Sequence, residues 1–467
     1  MRVLFLAPKE CWPPTTGAML RNYHLAREVA RAARVTYLSF NDATTTPDGS
    51  LAAANAARDS RETVGAGANP ARWCEQVVEV GRGRGYSLTN LARGALGHTP
   101  VTVLNYTTRE MEHELERVLA AHDFDVVQVE SIHLAAYLHV VRAARGRPVA
   151  LLDWHNVESE IMSRYAERTP GVLRRAYATR TARQLASLEA RAVRDFDAHI
   201  TVSDRDRDQL LSLVPRARVE TVENGVDSAH FADEKIERAH AEWLAKAGGT
   251  TRTAASDGPT KNNGPANDES QQDEDAARRR VVFVGSMDYH ANVDAVVHFA
   301  REIWPRLAAR LPGIVFSIVG RSPAPEVREL AALPRVEVTG TVEDVRPFYR
   351  GALASVVPLR VGGGSRLKIL EAMAAGVPVV STRLGAEGID ARDGVNIMLA
   401  ETAEEFCEAV ESLDADDARR RSLADAGREL VRARYDWSSL GASLLKIYES
   451  VIAENSRGRA EGGGARG

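Results

Sequence analysis

A chain of 467 residues exceeds what one ordinary core holds and implies at least two domains. Its 44% hydrophobic and 27% charged residues belong to a globular protein and exclude a disordered, collagen-like or membrane-embedded chain. With 60 Lys+Arg against 64 Asp+Glu, a formal charge of -4 supplies no global basic field for nucleic acid, so no nucleic-acid partner is expected.

The opening MRVLFLAPKECWPP reads as a short buried strand, Arg2–Leu6, broken at Pro8. It has no basic n-region, long apolar run or small-residue cleavage site, so no signal peptide is expected. A loop through Gly17 follows, then a helical spacing of Leu20, Tyr23, Leu25, Val29 and Ala30. Further strands are predicted at Val35–Phe40, Val126–Glu130, Val149–Asp153 and Ile200–Ser203, the alternation of an open α/β sheet. Residues 41–70 are an aperiodic excursion, and 248–277, almost free of large apolar residues, read as a disordered insertion or linker. The alternation resumes with strands at Arg280–Val284, Ile314–Val319, Val336–Val338, Ala354–Pro358 and Val377–Ser381. The spacing of Leu440, Leu444, Ile447, Tyr448 and Val451 predicts an amphipathic helix from Trp437, and the Gly/Arg/Glu-rich end from Asn455 a frayed tail.

Cys11, Cys74 and Cys407 lie far apart and form no C-x-x-C, which supports neither a disulfide framework nor a zinc cluster and fits a reducing cytoplasm. No stretch reaches the roughly 20 apolar residues of a membrane span, so any membrane contact is expected to be peripheral.

The most informative stretch runs from Pro358 to Thr382, PLRVGGGSRLKILEAMAAGVPVVST. Ser365 reads as an N-cap, the helix extends to about Ala375, Gly376 takes the C′ position and Pro378 prevents continuation. Gly362, Gly363 and Gly364 allow close backbone approach, and free N–H groups at the helix start favour an anion such as phosphate. Arg366 and Lys368 oppose the helix dipole there, which something negative should offset. Two plainer readings compete: the glycines make only a tight turn, and Lys368 with Glu371 forms a surface i,i+3 pair of about 0.2 to 0.5 kcal/mol. Ser365-x-x-Lys368 also has the spacing of an acyl-transfer nucleophile and its base, but lacks the accompanying S-D-N and K-T-G elements.

Taken whole, this stretch resembles the signature of the retaining glycosyltransferases of family 4. Several other segments fall in the order that family requires: Phe5-Leu-Ala-Pro with Gly17, the run from Asp153 to Glu160, Val202-Ser-Asp, and the run from Val222 to Asp227. The second half adds the runs from Phe283 to Ala295, from Val338 to Val345 and from Gly385 to Ile389. The resemblance implies the α/β GT-B architecture: a first Rossmann-like domain over 1–230, a helix and linker over 231–279, and a second domain over 280–436. It also implies a helix over 437–454 that returns to the first domain, ahead of the tail 455–467. It further implies transfer of a sugar, with retention, from a nucleoside-diphosphate sugar to an acceptor hydroxyl in the interdomain cleft. No cofactor or metal is required, and the acceptor is a sugar, a lipid-linked or another hydroxyl compound in polysaccharide or glycoconjugate synthesis.

By the same resemblance Glu371 binds the donor's ribose hydroxyls, a task suited to a carboxylate that only accepts hydrogen bonds. Gly285, Val342, Glu387 and Gly388 join it on the donor side with the glycine loop and Ser365. His155, just past a strand end, contacts the donor sugar near its anomeric carbon. Two departures stand out. The family's first motif glutamate would fall at Gly363, and its usual Arg and Lys after the first strand of the second domain are replaced between Ser286 and Asn292. A leaving diphosphate needs such cations, since one at about 4 Å is worth about 4 kcal/mol at an effective dielectric near 20. The expectation is that Arg366 and Lys368 stand in.

Asn156 is read both as an acceptor-side group and as a helix cap. Gly17 is read as an approach point or a plain loop glycine, and Glu130 as a strand-end carboxylate facing the cleft. Asn224-Gly225 reads as a turn. The arginine excess from Arg164 to Arg194 is either a solvated face or an attraction to an anionic leaflet or polyprenyl phosphate, worth about 1 kcal/mol per cation. A rival reading is a non-catalytic nucleotide-sugar-binding protein. An NAD-dependent oxidoreductase fails, because no G-x-G-x-x-G follows the first strand.

Overall fold

Apolar runs such as Val3–Ala7, with every side chain at 0% exposure, form strands covered on both faces, the hallmark of parallel sheets flanked by helices. The computed structural model describes residues 1–14, 16–41, 69–82, 87–168, 171–250, 279–361 and 366–463. Most of the 41–70 excursion, nearly all of the 248–277 segment, and Gly362, Gly363, Gly364 and Ser365 lie outside the described residues. The chain divides into two compact units, Met1–Asn224 with Trp437–Gly467, and Gly225–Asp436.

The first unit holds β1 (Arg2–Ala7), β2 (Arg34–Asn41), β3 (Gln76–Gly81), β4 (Val126–Glu130), β5 (Val149–Trp154), β6 (Ala198–Thr201) and β7 (Val219–Thr221). They make one parallel sheet in the order β3-β2-β1-β4-β5-β6-β7. The period of two sorts their side chains: Leu4, Leu6, Val127 and Val129 enter one core, while Val3, Phe5, Ala7 and Val126 enter the core on the opposite face. The order reverses between β1 and β4, so the carboxyl ends of these strands border a topological switch point, where open α/β sheets bind ligands.

The second unit repeats this with β8 (Arg280–Val284), β9 (Val315–Val319), β10 (Val336–Gly340), β11 (Ala354–Val357), β12 (Val379–Ser381) and β13 (Met398–Leu399), ordered β10-β9-β8-β11-β12-β13. Its switch point falls between β8 and β11. Strands β3, β7 and β13 are absent from the sequence reading; all three lie at or next to sheet edges, and β7 and β13 are too short to show a period. β6 ends at Thr201 because Ser203 caps the next helix, accepting from Asp206 N at 3.2 Å.

Seven helices matter below: α1 (Gly17–Val29), α2 (Glu158–Arg168), α3 (Val172–Asp195), α4 (Asp233–Thr250), α5 (His290–His298), α6 (Leu367–Ala374) and α7 (Trp437–Gly463). Gly17 is the first residue of α1, capped by Thr16, rather than a loop glycine. The first part of the expected connector is packed: α4 buries Ile236 and Ala239, and Glu237 pairs with Arg350 at 2.7 Å within the second unit. α7 lies on α1 so closely that a Cβ on Gly441 would stand 2.3 Å from Glu28 Cβ. Leu440, Leu444, Tyr448 and Val451 join Tyr23, Leu25 and Val29 in one core. The helix continues to Gly463, past Asn455, where the sequence predicts a tail.

Candidate functional site

β11 ends at Val357 ahead of Pro358, and α6 begins at Leu367 with Arg366, not Ser365, in the N-cap position and no side-chain cap. Gly376 ends the helix at φ +69°, with its N–H bonded to Met373 O at 3.0 Å and that of Val377 to Ala372 O at 2.9 Å. This paired closure is a Schellman motif; it delays β12 to Val379, two residues beyond the sequence expectation.

Arg366 is 7% exposed and points into the segment after β12, donating to Leu384 O at 2.8 Å and approaching the Glu387 carboxylate at 3.4 Å. It therefore braces the Leu384–Gly388 loop. Gly388 has φ +82°, and Glu387 is exposed. Val342 is packed against the core of the second unit.

Lys368 behaves otherwise. Its ammonium donates to Asn292 Oδ1 at 2.5 Å and lies 4.7 Å from the centre of the Phe283 ring. Burial lowers its pKa to about 8, with the Arg366 charge adding to the effect. One helical turn further, burial raises Glu371 to about 7 against the pull of Lys368. A cation and a carboxylate poised near neutrality thus share one face of α6. Asn292, at 5% exposure on α5, connects this pair to β8: its Nδ2 donates to Ser286 O at 2.8 Å. A Cβ on Gly285 would stand 2.8 Å from that nitrogen, which explains the glycine.

In the first unit, β4 and β5 deliver Glu130 and His155 to the switch point. His155 Nε2 is 2.9 Å from Glu130 Oε2, and the other carboxylate oxygen accepts from Gln128 at 2.7 Å. Gln128 in turn accepts from the Tyr448 hydroxyl of α7. Glu130 is 1% exposed, and burial together with the Asp153 charge raises its pKa while His155 opposes the shift. Asp153 is clamped by Arg21 of α1 through two contacts of 3.0 and 3.1 Å, and Arg21 extends to Glu223 O at 3.0 Å and Asn224 Oδ1 at 3.5 Å. Asn224 thus serves Arg21, and the chain makes no turn at Asn224-Gly225, where the sequence predicts one.

Ligand atoms of Glu130, Asp153 and His155 lie within 4.8 Å of one another. Asp153 is engaged by a guanidinium and Glu130 by Gln128 and His155, so the donors close as a hydrogen-bond network; a cation there would compete with Arg21. Asn156 is exposed, stands one residue ahead of the N-cap position of α2, and hydrogen-bonds the Glu158 carboxylate.

The structure brings together His155 with Glu130, and Lys368 with Glu371 and Gly285. Sequence reasoning missed Arg21, Asn292 and Arg321. Arg321 follows Gly320 at the end of β9, and a Gly-Arg pair just past a predicted strand was the signal present.

A model of "Glycosyltransferase Family 4" matches residues 15–230, and one of "Glycosyl transferases group 1" matches residues 278–416. Phosphatidyl-myo-inositol mannosyltransferase of Mycolicibacterium smegmatis is 30% identical over 194 residues, covering 40% of this chain and 49% of that protein. The lipopolysaccharide core biosynthesis glycosyltransferase LpsE of Rhizobium meliloti is 28% identical, covering 36% and 48%. The chain thus spans about half the length of the curated relatives it matches. Among solved structures, sucrose-phosphate synthase from Thermosynechococcus elongatus matches with a TM-score of 0.61 at 16% identity, over 97% of this chain and 100% of that one. Anabaena HepE in complex with UDP and glucose matches with a TM-score of 0.57 at 14% identity, over 96% and 100%. These whole-chain likenesses show a GT-B fold. Each half of the chain is thus matched by a model of glycosyltransferases.

Proposed function

We propose that this protein transfers a sugar, with retention at the anomeric carbon, from a nucleoside-diphosphate sugar to an acceptor hydroxyl. The observation that carries this is the Lys368–Glu371 face of α6 beside the β8–β11 switch point. Glu371 accepts from the ribose hydroxyls, and Lys368 meets the diphosphate, whose charge grows as the bond from its oxygen to the sugar breaks. In the first unit the Glu130 carboxylate accepts a hydrogen bond from Nε2–H of His155, which fixes the ring's orientation for contact with the sugar. Because protein cations serve the diphosphate, turnover is expected to persist in chelator.

One curated relative is named for acting on phosphatidyl-myo-inositol, a lipid, and the other for lipopolysaccharide core biosynthesis. This supports a lipid-linked acceptor and peripheral contact with an anionic leaflet. No helix among the described residues is long and apolar enough to cross a membrane. The α2–α3 region instead exposes Ile161, Tyr165, Val172, Leu173 and Tyr177. Arg174 and Arg175 adjoin Leu173 in sequence, and exposed apolar groups beside cations suit a headgroup region.

The test is a nucleotide-release screen of UDP-, GDP-, ADP- and dTDP-sugars with saccharide and lipid-linked acceptors. Release of one nucleoside diphosphate that depends on acceptor is expected. Binding of a donor without release from any acceptor would favour a non-catalytic nucleotide-sugar-binding protein.

A further inference from the structure

Between Gly285 and Asn292 the loop after β8 contains no lysine or arginine, yet two cations reach it from other elements. Lys368 of α6 arrives at one end through Asn292, whose amide also holds Ser286 O. Arg321 arrives at the other. Gly320 has φ +155° and presses so tightly on this loop that a Cβ there would stand 1.7 Å from Gly285 O. The contact aligns the two strand ends: Met287 N donates to Arg321 O at 2.9 Å, and Arg321 Nε donates to Ser286 Oγ at 3.0 Å. The Ser286 hydroxyl in turn donates a hydrogen bond to Asp288 Oδ1 at 2.6 Å. Arg321 is exposed, and among the described residues Nε is its only side-chain nitrogen with a protein partner. The remaining nitrogens of a guanidinium form a fork that matches phosphate oxygens.

We propose that Arg321 binds the donor diphosphate and that Arg321 with Lys368, not Arg366 with Lys368, restores the positive charge missing between Ser286 and Asn292. One cation comes through Ser286 and the other through Asn292, the two ends of the stretch where that charge is absent from the sequence. The assignment rests on the donor reading above. The plainer alternative is that Arg321 only offsets the charge of Asp288.

Calorimetric titration with UDP, GDP, ADP and dTDP, and with the matching monophosphates, separates these. Arg321→Ala is expected to weaken the diphosphate that wild type binds by about tenfold to a hundredfold, the size of a lost charge-assisted hydrogen bond, and the monophosphate less. The double variant Arg321→Ala/Asp288→Asn is expected to stay weak. Arg321→Gln, which keeps the side chain's length and polarity, guards against a local folding defect and is expected to behave like Arg321→Ala. Diphosphate affinity unchanged in Arg321→Ala, or restored in the double variant, would overturn the assignment while leaving the donor reading intact. Wild-type protein that binds none of the four diphosphates would overturn both.

Discussion

Glu371 and Lys368 are held away from their ordinary pKa values in opposite directions, to about 7 and about 8, each mainly by burial. The folded state therefore retains a proton on Glu371 that the unfolded chain would release, and releases one from Lys368 that the unfolded chain would keep. If Glu371 must be ionised and Lys368 charged to receive a nucleotide, diphosphate affinity should rise as pH passes about 7 and fall as it passes about 8. Titrating affinity against pH checks this: Glu371→Gln should abolish the acid limb and Lys368→Met the alkaline one, and a flat wild-type profile would refute it. Glu371→Gln should also raise the melting temperature at pH 8, because it removes a half-buried carboxylate whose ionised form desolvation disfavours, while weakening nucleotide binding. Lys368 was legible in sequence as a cation in the first turn after a glycine loop, and Glu371 through the family resemblance. Arg321 was not, since its partner Ser286 is 35 residues away and only the parallel pairing of β8 with β9 brings them together.

Strand ends in the second unit are shaped by glycines that admit no side chain. Gly320→Ala would drive a methyl group into Gly285 O while forcing a backbone conformation that L residues rarely adopt. Nucleotide affinity should fall in this variant by at least as much as in Arg321→Ala, and calorimetry of the two side by side would show it; affinity equal to wild type would mean the β8–β9 contact is unimportant for the site. The long buried strands β1, β4, β5 and β8 were legible as apolar runs. Edge strands were not: β13 has two residues and β7 three, and hydrogen bonding to an already formed neighbour, not their own pattern, makes them strands. The surroundings of Arg366 escape the sequence for the same reason. Sequence placed Arg366 beside the glycine loop, whereas the carbonyl of Leu384, 18 residues on, captures its guanidinium.

At the level of the whole molecule, the α/β class was legible because apolar periodicity survives without knowledge of contacts, whereas the return of the chain to its first half came from the family resemblance. The His155–Glu130–Gln128–Tyr448 chain of hydrogen bonds was not legible, since its members are up to 320 residues apart. Peripheral membrane contact carries its own test. Val172→Asp/Leu173→Asp should reduce cosedimentation with phosphatidylglycerol-containing vesicles while leaving nucleotide affinity unchanged, and equal cosedimentation would remove these residues from the membrane reading.

The second unit opens and closes at one place: Val226 N donates to Tyr435 O at 2.9 Å, and Ser228 bonds to Asp436. The chain therefore leaves the first unit after Asn224 and resumes it at Trp437. During synthesis on the ribosome, the sheet that starts at Arg2 must wait for α7, with Tyr23, Leu25 and Val29 uncovered, while the later unit already has all of its strands. The part of the protein made first is thus the last to be completed, and nascent chains stopped short of Trp437 should be captured by chaperones through that waiting face.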